Sequence, residues 1–350
     1  MARHNLDAAY ITSPVSIAYI TGFHAEPMER LMALAILRDQ VTLIVPALEE
    51  QRTAHLGDEA DVVAWHDGQD PYLLVRQALA GAANLGVEKQ HLSMAAAEML
   101  TTHAGAVEMI DVGPVVRRLR LIKTDEEIER LARAAAITDA VTEEVIGRLR
   151  PGQTELAIAV MLGAAIGELG GTLSFDSLVQ SGPNSAVPHM RPTGRKLETG
   201  DLVLLDFGAA LDGYRADTTR MAVVGEPSER HRSIHGLVLE ARDAAVAAVR
   251  AGATTGAIDA AARHVIDAAG MGDRFIHRVG HGLGLEAHED PSLDPGSGTV
   301  LEAGMVFTIE PGVYIPGFGG VRIEDDLVVE RDGCRVLTKA DRSLRVIQAD

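Results

Sequence analysis

Four carboxylates in this 350-residue chain fall in two segments that are built alike. The first runs Gly200-Asp201-Leu202-Val203-Leu204-Leu205-Asp206, turns at Leu211-Asp212-Gly213 and returns through Arg215-Ala216-Asp217. The second runs Gly304-Met305-Val306-Phe307-Thr308-Ile309-Glu310, turns between Pro316 and Gly320 and returns through Arg322-Ile323-Glu324. Each has a glycine, an apolar run ending in an acid, and a return limb carrying Arg-x-acid. Folded as hairpins, they set Asp206 roughly opposite Asp217 and Glu310 roughly opposite Glu324, with Cβ atoms about 5 Å apart. Like charges that close, on strands apolar enough to be buried, are unfavourable unless something cationic lies between them. Metal is the economical answer, and four acids suit two ions.

A fifth donor lies between the segments. His281 stands in Gly280-His281-Gly282-Leu283-Gly284, where glycine on both sides permits close backbone approach. Imidazole beside carboxylates is a mixed nitrogen and oxygen site, which suits Mn, Fe, Co or Zn better than Ca. The same glycines lack the G-x-G-x-x-G spacing of a dinucleotide site and the lysine of a phosphate loop. His24, His55, His66, His91 and His103 have no ligand spacing and read as surface or hydrogen-bonded histidines.

The elements that must position these donors are legible in outline. Residues 1 to about 120 alternate strand-like and helix-like pieces, which predicts a small α/β domain. Leu31–Leu37 and Val41–Val45 flank Arg38-Asp39-Gln40 as a hairpin. A helix is expected from Pro71 to Ala83, then a short strand after Gly86, while Gly22 to Pro27 reads as a loop. Thr124-Asp125-Glu126-Glu127 is a capping box opening a helix that Pro151-Gly152 ends. Further helices are expected at about 154–169, 228–250 and 255–269. Asp206 to Glu310 and Asp217 to Glu324 are separated by nearly the same offset, as though one α/β half were used twice.

Composition narrows the classes. Apolar residues make up 47%, enough for a sizeable core, and the net charge of −18 argues against a nucleic-acid partner. The single cysteine, Cys334, allows no internal disulfide and fits a reducing compartment. Met-Ala-Arg-His-Asn leads into no long apolar stretch, so no signal peptide is expected. Leu31–Leu37 is far short of the roughly 20 residues a membrane span needs. A cytoplasmic protein without membrane attachment is the expectation.

The ordered set Asp206, Asp217, His281, Glu310 and Glu324 resembles the ligands of the pita-bread metallopeptidases, family M24, which include methionine aminopeptidase, aminopeptidase P and prolidase. The strings Asp206-Phe207-Gly208, Gly213-Tyr214-Arg215-Ala216-Asp217-Thr218-Thr219-Arg220, Thr308-Ile309-Glu310-Pro311-Gly312 and Gly320-Val321-Arg322-Ile323-Glu324-Asp325-Asp326 are similar to the prolidase and aminopeptidase P branch. The resemblance covers about residues 120 to 340, and more loosely the first 120 through Tyr19-Ile20-Thr21-Gly22-Phe23. It departs at Met221, where a small polar residue is expected.

The resemblance implies an α/β (α+β) architecture: a creatinase-like domain over 1–120 and a pita-bread catalytic domain with a pseudo-twofold repeat over 121–350. It implies that Asp217 and Glu324 bridge two divalent ions, Mn first, with Co, Zn or Fe as alternatives. Asp206 completes one coordination sphere, and His281 and Glu310 the other. Glu310 doubles as the proton relay, and His288 and His189 face the substrate and its oxyanion. His277 is a further candidate beside the reaction or behind the ligands. Arg322 either orients a ligand carboxylate, meets the substrate's carboxyl end or forms a structural pair. The implied reaction is hydrolysis of an Xaa-Pro dipeptide, by a homodimer. The alternatives are an Xaa-Pro aminopeptidase on longer peptides, metal-free creatinase-type hydrolysis, or a non-catalytic binding domain; the full ligand set speaks against the last two.

Overall fold

Short apolar runs separated by turn residues occupy the first 120 positions. In the computed structural model, which describes residues 5–25, 28–79, 81–105 and 108–349, they form β1 (Ala8–Ile11), α1 (Pro14–Thr21), β2 (Ala33–Ile36), β3 (Val41–Pro46), β4 (Asp61–Trp65), α2 (Pro71–Leu79), β5 (Asn84–Val87), α3 (Met94–Ala104), β6 (Glu108–Asp111) and α4 (Gly113–Leu121). The strands make one mixed sheet in the order β4-β3-β2-β1-β5-β6. Apolar clusters fill the space on both its faces. The β2–β3 hairpin sets Ile36 opposite Val41. The strand expected after Gly86 begins earlier, at Asn84, because Leu85 and Val87 both carry it into the core. Gly22 caps α1 in the left-handed conformation; of the loop expected there, Glu26 and Pro27 lie outside the described residues.

The chain divides into two compact units, Met1–Arg120 and Leu121–Asp350. The second opens with α5 (Asp125–Arg148), whose capping box is formed: Glu127 N donates to Thr124 Oγ1, and Thr124 N to Glu127 Oε2. Ile128, Leu131, Ala135, Val141 and Val145 give this helix one buried face. α6 (Glu155–Glu168) starts on Thr154, whose side chain accepts from the third helical amide. Then come β7 (Thr172–Leu173), β8 (Leu178–Ser181), β9 (Leu202–Phe207), β10 (Ala209–Leu211), β11 (Tyr214–Arg215) and β12 (Thr218–Val224).

The scheme then recurs. A second helix pair, α7 (Glu229–Ala248) and α8 (Thr255–Ala268), starts on Ser228 and Thr254. It leads to β13 (His281–Gly282), β14 (Glu289–Ser292), β15 (Val306–Ile309), β16 (Gly312–Ile315), β17 (Gly319–Arg322), β18 (Asp325–Val329) and β19 (Cys334–Val336). β20 (Arg345–Ile347) returns beside β12. In both halves a long antiparallel pair, β9–β12 or β15–β18, bends into a short pair, β10–β11 or β16–β17. An isolated antiparallel bridge, Thr219 to Glu324, joins the halves.

Alternation along β9 decides where its acid points. Val203, Leu205 and Phe207 pack with α5 and α6, whereas Leu202 and Leu204 pack with α7 and α8. Asp206 shares the second face, which looks from the first half toward the other. No helix among the described residues is long and apolar enough to cross a membrane.

Candidate metal centre

The acids sit where the paired strands bend. Asp206 is next to the end of β9, Asp217 directly precedes β12, Glu310 directly follows β15, and Glu324 directly precedes β18. One expected facing pair is shifted. The register sets Thr219 opposite Asp206, so Asp217 lies two residues further along, on the same side. The cause is the turn: Asp212 and Gly213 alone link β10 to β11, both at positive φ, and such a two-residue loop fixes the register of everything behind it. In the second half Ile309 faces Asp325 on one side of the bend and Gly312 faces Arg322 on the other, which brings Glu310 level with Glu324.

The two halves bring three donors together. One oxygen each of Asp217 and Glu324 and one nitrogen of His281 lie within 4.8 Å of one another. His281 Nε2 is also 3.3 Å from Glu310 Oε1 and 3.7 Å from Asp217 Oδ2. Asp217, Glu324 and His281 are buried, and Asp217 Oδ1 has no hydrogen-bond partner among the described residues. Asp206 is held by Arg322, whose Nη2 donates to its Oδ2. A buried carboxylate with one oxygen lacking a donor, gathered with another carboxylate and an imidazole, is a place that a divalent cation fits.

The pattern of metallopeptidase family M24 matches residues 129–331, and that of the creatinase/prolidase N-terminal domain matches residues 1–122. This chain belongs to metallopeptidase family M24. It is 40% identical to an Xaa-Pro dipeptidase of Lactobacillus helveticus, over 98% of this chain and 95% of the relative. Its structure is similar to that of an Xaa-Pro dipeptidase from Bacillus anthracis, with a TM-score of 0.93, 36% identity and coverage of 99% and 96% of the two chains. An X-Pro aminopeptidase from Thermotoga maritima is similar at a TM-score of 0.90 and 31% identity, over 98% of each chain.

Electrostatics in this M24 site follow from burial. Asp217 is pushed well above the usual carboxylate range by burial first, then by repulsion from Glu324 and Asp206. Glu324 is raised by burial and by Glu310 and Asp206. Burial lifts Glu310 too, but Arg322 and Arg278 pull it back, and it rests at about 7. His281 goes the other way, down to about 3, through burial and the neighbouring His288. A neutral imidazole is the form that ligates metal.

Arg322 organises the site from behind. Its Nε donates to Thr219 Oγ1 (3.1 Å), which donates on to Glu324 Oε2 (2.6 Å), and its Nη1 donates to Tyr314 Oη (2.8 Å). His277 extends that chain. Its Nδ1 must donate to the Arg278 carbonyl (2.7 Å), which leaves Nε2 to accept from Tyr314 Oη (2.8 Å). Burial, with Arg322 nearby, pushes His277 down to about 4 and keeps it neutral. His288 is exposed, with its ring 3.9 Å from that of His281. His189 is exposed on the loop after β8, in electrostatic reach of both His277 and His288.

Tyr314 and Thr219 could not be singled out in advance, whereas Asp325, Asp326 and Glu289 read from the sequence as acids behind the ligands or in solvent. Tyr314 and Thr219 are ordinary strand residues in the sequence, and only the fold turns them to Arg322. Asp326 is buried and accepts the Asp217 amide on Oδ2 (2.9 Å). Asp325 is buried among Arg220, Arg242 and Arg342; burial would raise it, but these guanidiniums hold it below the ordinary range. Neither acid is solvated. Glu289 pairs with buried Lys123 at 2.6 Å.

Proposed function

We propose that this M24 chain hydrolyses the bond preceding proline in Xaa-Pro dipeptides, with two divalent ions, Mn first and Co, Zn or Fe as alternatives. The observation that carries this reading is the meeting of Asp217, His281 and Glu324 within 4.8 Å, in a chain that matches an Xaa-Pro dipeptidase over 98% of its length. Asp206, Asp217, His281, Glu310 and Glu324 would hold the ions, with Asp217, His281 and Glu324 already gathered. When bound, the ions lower the pKa of water toward neutrality and polarise the scissile carbonyl. Glu310 takes up a proton and delivers it to the leaving proline nitrogen. His288 and His189, both exposed, would donate to the oxyanion of the reacting carbonyl. His277 acts through Tyr314, fixing the Arg322 fork that holds Asp206. A homodimer in the cytoplasm completes the reading.

The similarity to the Thermotoga maritima X-Pro aminopeptidase favours a second reading, in which the first residue of longer Xaa-Pro peptides is removed. A rate comparison separates the two: Mn-loaded protein and a chelated control, on an Xaa-Pro dipeptide and on the same peptide extended by one residue. Cleavage of the dipeptide alone is expected. Preference for the extended peptide would replace the first reading with the second, and cleavage of neither with metal bound would overturn both.

A further inference from the structure

His189 stands apart from the other site histidines. Its side chain is exposed and makes no hydrogen bond among the described residues, yet the backbone that carries it is fastened from beneath at several points. Val187 and Met190 close a turn around Pro188 and His189, the Met190 amide donating to the Val187 carbonyl at 2.9 Å. Under that turn lies Gln180, on β8 and fully buried. Its amide nitrogen donates to the carbonyls on either side of His189, Pro188 O at 2.9 Å and Met190 O at 3.0 Å. The orientation of the amide is decided by chemistry, since its oxygen would face two carbonyl oxygens if it were flipped.

A second fastening grips the ends of the same loop. Glu155, the first residue of α6, is fully buried. Its Oε1 accepts from Ser181 N and Oγ, both at 2.7 Å, and its Oε2 accepts from Thr193 N (2.9 Å) and Oγ1 (2.6 Å). Asn184 Nδ2 donates to both oxygens, at 3.0 and 3.1 Å. One carboxylate thus ties residues on both sides of His189 to a helix start. A buried acid so fully used, and a buried amide with both protons committed, are more than a surface loop needs in order to stay folded.

We propose that Gln180 and Glu155 are positioning residues for His189. They hold the loop so that an imidazole with no support of its own stands fixed where the substrate carbonyl reacts. The inference rests on the reading of His189 as a substrate-facing donor. A donor aimed at a developing oxyanion acts only if its placement is set before the reaction, and small misplacements are costly.

The test is a double-mutant cycle between Gln180→Met and His189→Ala in the Mn-loaded full chain, with kcat, KM, metal content and Tm measured for each. Methionine keeps the length and volume of glutamine and removes both donors. In the wild-type background, Gln180→Met is expected to lower kcat about 10-fold with little change in KM, because the lost interaction belongs to the transition state. In the His189→Ala background the same change is expected to cost nothing further. An equal loss in both backgrounds, or no loss in either while His189→Ala is slow, would overturn the positioning role. Full activity of His189→Ala would instead sink the reading of His189 itself. Should the methionine variant not fold, Gln180→Asn, which keeps the amide and draws it back by one methylene, carries the same cycle.

Discussion

Glu310 is the acid of this site that two guanidiniums pull back against burial, leaving it raised to about 7. Burial alone would leave it protonated; Arg322 and Arg278 draw it back to about 7, where a carboxyl both accepts and releases a proton at working pH. Glu310→Gln preserves shape and removes that exchange. The expected outcome is a fall in kcat of about 10²-fold or more per bound metal, with metal content measured by atomic emission alongside. Near-normal turnover with both ions retained would remove Glu310 from the relay. At this scale the three side chains that meet, Asp217, His281 and Glu324, were among the expected donors, because carboxylates and imidazole must be present in the chain whatever brings them together. Their support was legible only in part. The sequence marks Arg322 as a candidate to orient a ligand carboxylate, but not which one; its fork reaches Thr219, 103 residues away, and Asp206, 116 residues away. Nothing local in Gly312-Val313-Tyr314 announces that the tyrosine bridges an arginine to a histidine.

The bends between strands make the arrangement possible, and one of them depends on a missing side chain. Gly208 joins β9 to β10, and a Cβ there would lie 1.7 Å from the Ala216 carbonyl oxygen and 3.1 Å from the Asp217 amide. The obstacle is backbone, which has no rotamer to retreat into. Gly208→Ala is therefore expected to cost at least about 1–3 kcal/mol in urea unfolding and to weaken metal retention, because relief of the clash moves Asp217. Unchanged stability would show that the bend tolerates a side chain. Elements were legible in proportion to how local their signals are. The four helices of the second unit lie close to where they were expected, the first through its Thr124 capping box and 3.6-residue apolar spacing, and the structure adds caps at Thr154, Ser228 and Thr254. Strand register was the weak point. That Asp206 faces Thr219 turns on a two-residue loop at Asp212 and Gly213, and each residue added to that loop slides the register by one.

For the whole second unit, concentrating raised acids at one centre makes stability depend on pH in a way that metal should reverse. Asp217, Glu324 and Glu310 all have folded-state pKa values above the ordinary carboxylate range. In chelated protein, the stability they contribute is fully present below that ordinary range. It is lost as pH rises through the raised values, which for Glu310 means about 7. Bound ions need the deprotonated forms, so loading opposes the loss. The Tm difference between Mn-loaded and chelated protein is thus expected to widen as pH rises from about 5 to about 7.5, with roughly 2.7 kcal/mol of added stability at a hundred times Kd. A difference that is flat or narrows over that range would show that these acids do not govern the coupling.

The isolated bridge between Thr219 and Glu324, and the Asp217 amide reaching Asp326 across 109 residues, also have a kinetic meaning. Loops of that length close late, after the local helices and strand pairs have formed. An ion therefore finds its complete cage only on the native side of the folding barrier. It should act as a latch that slows opening and protease attack, leaving the speed of folding almost untouched.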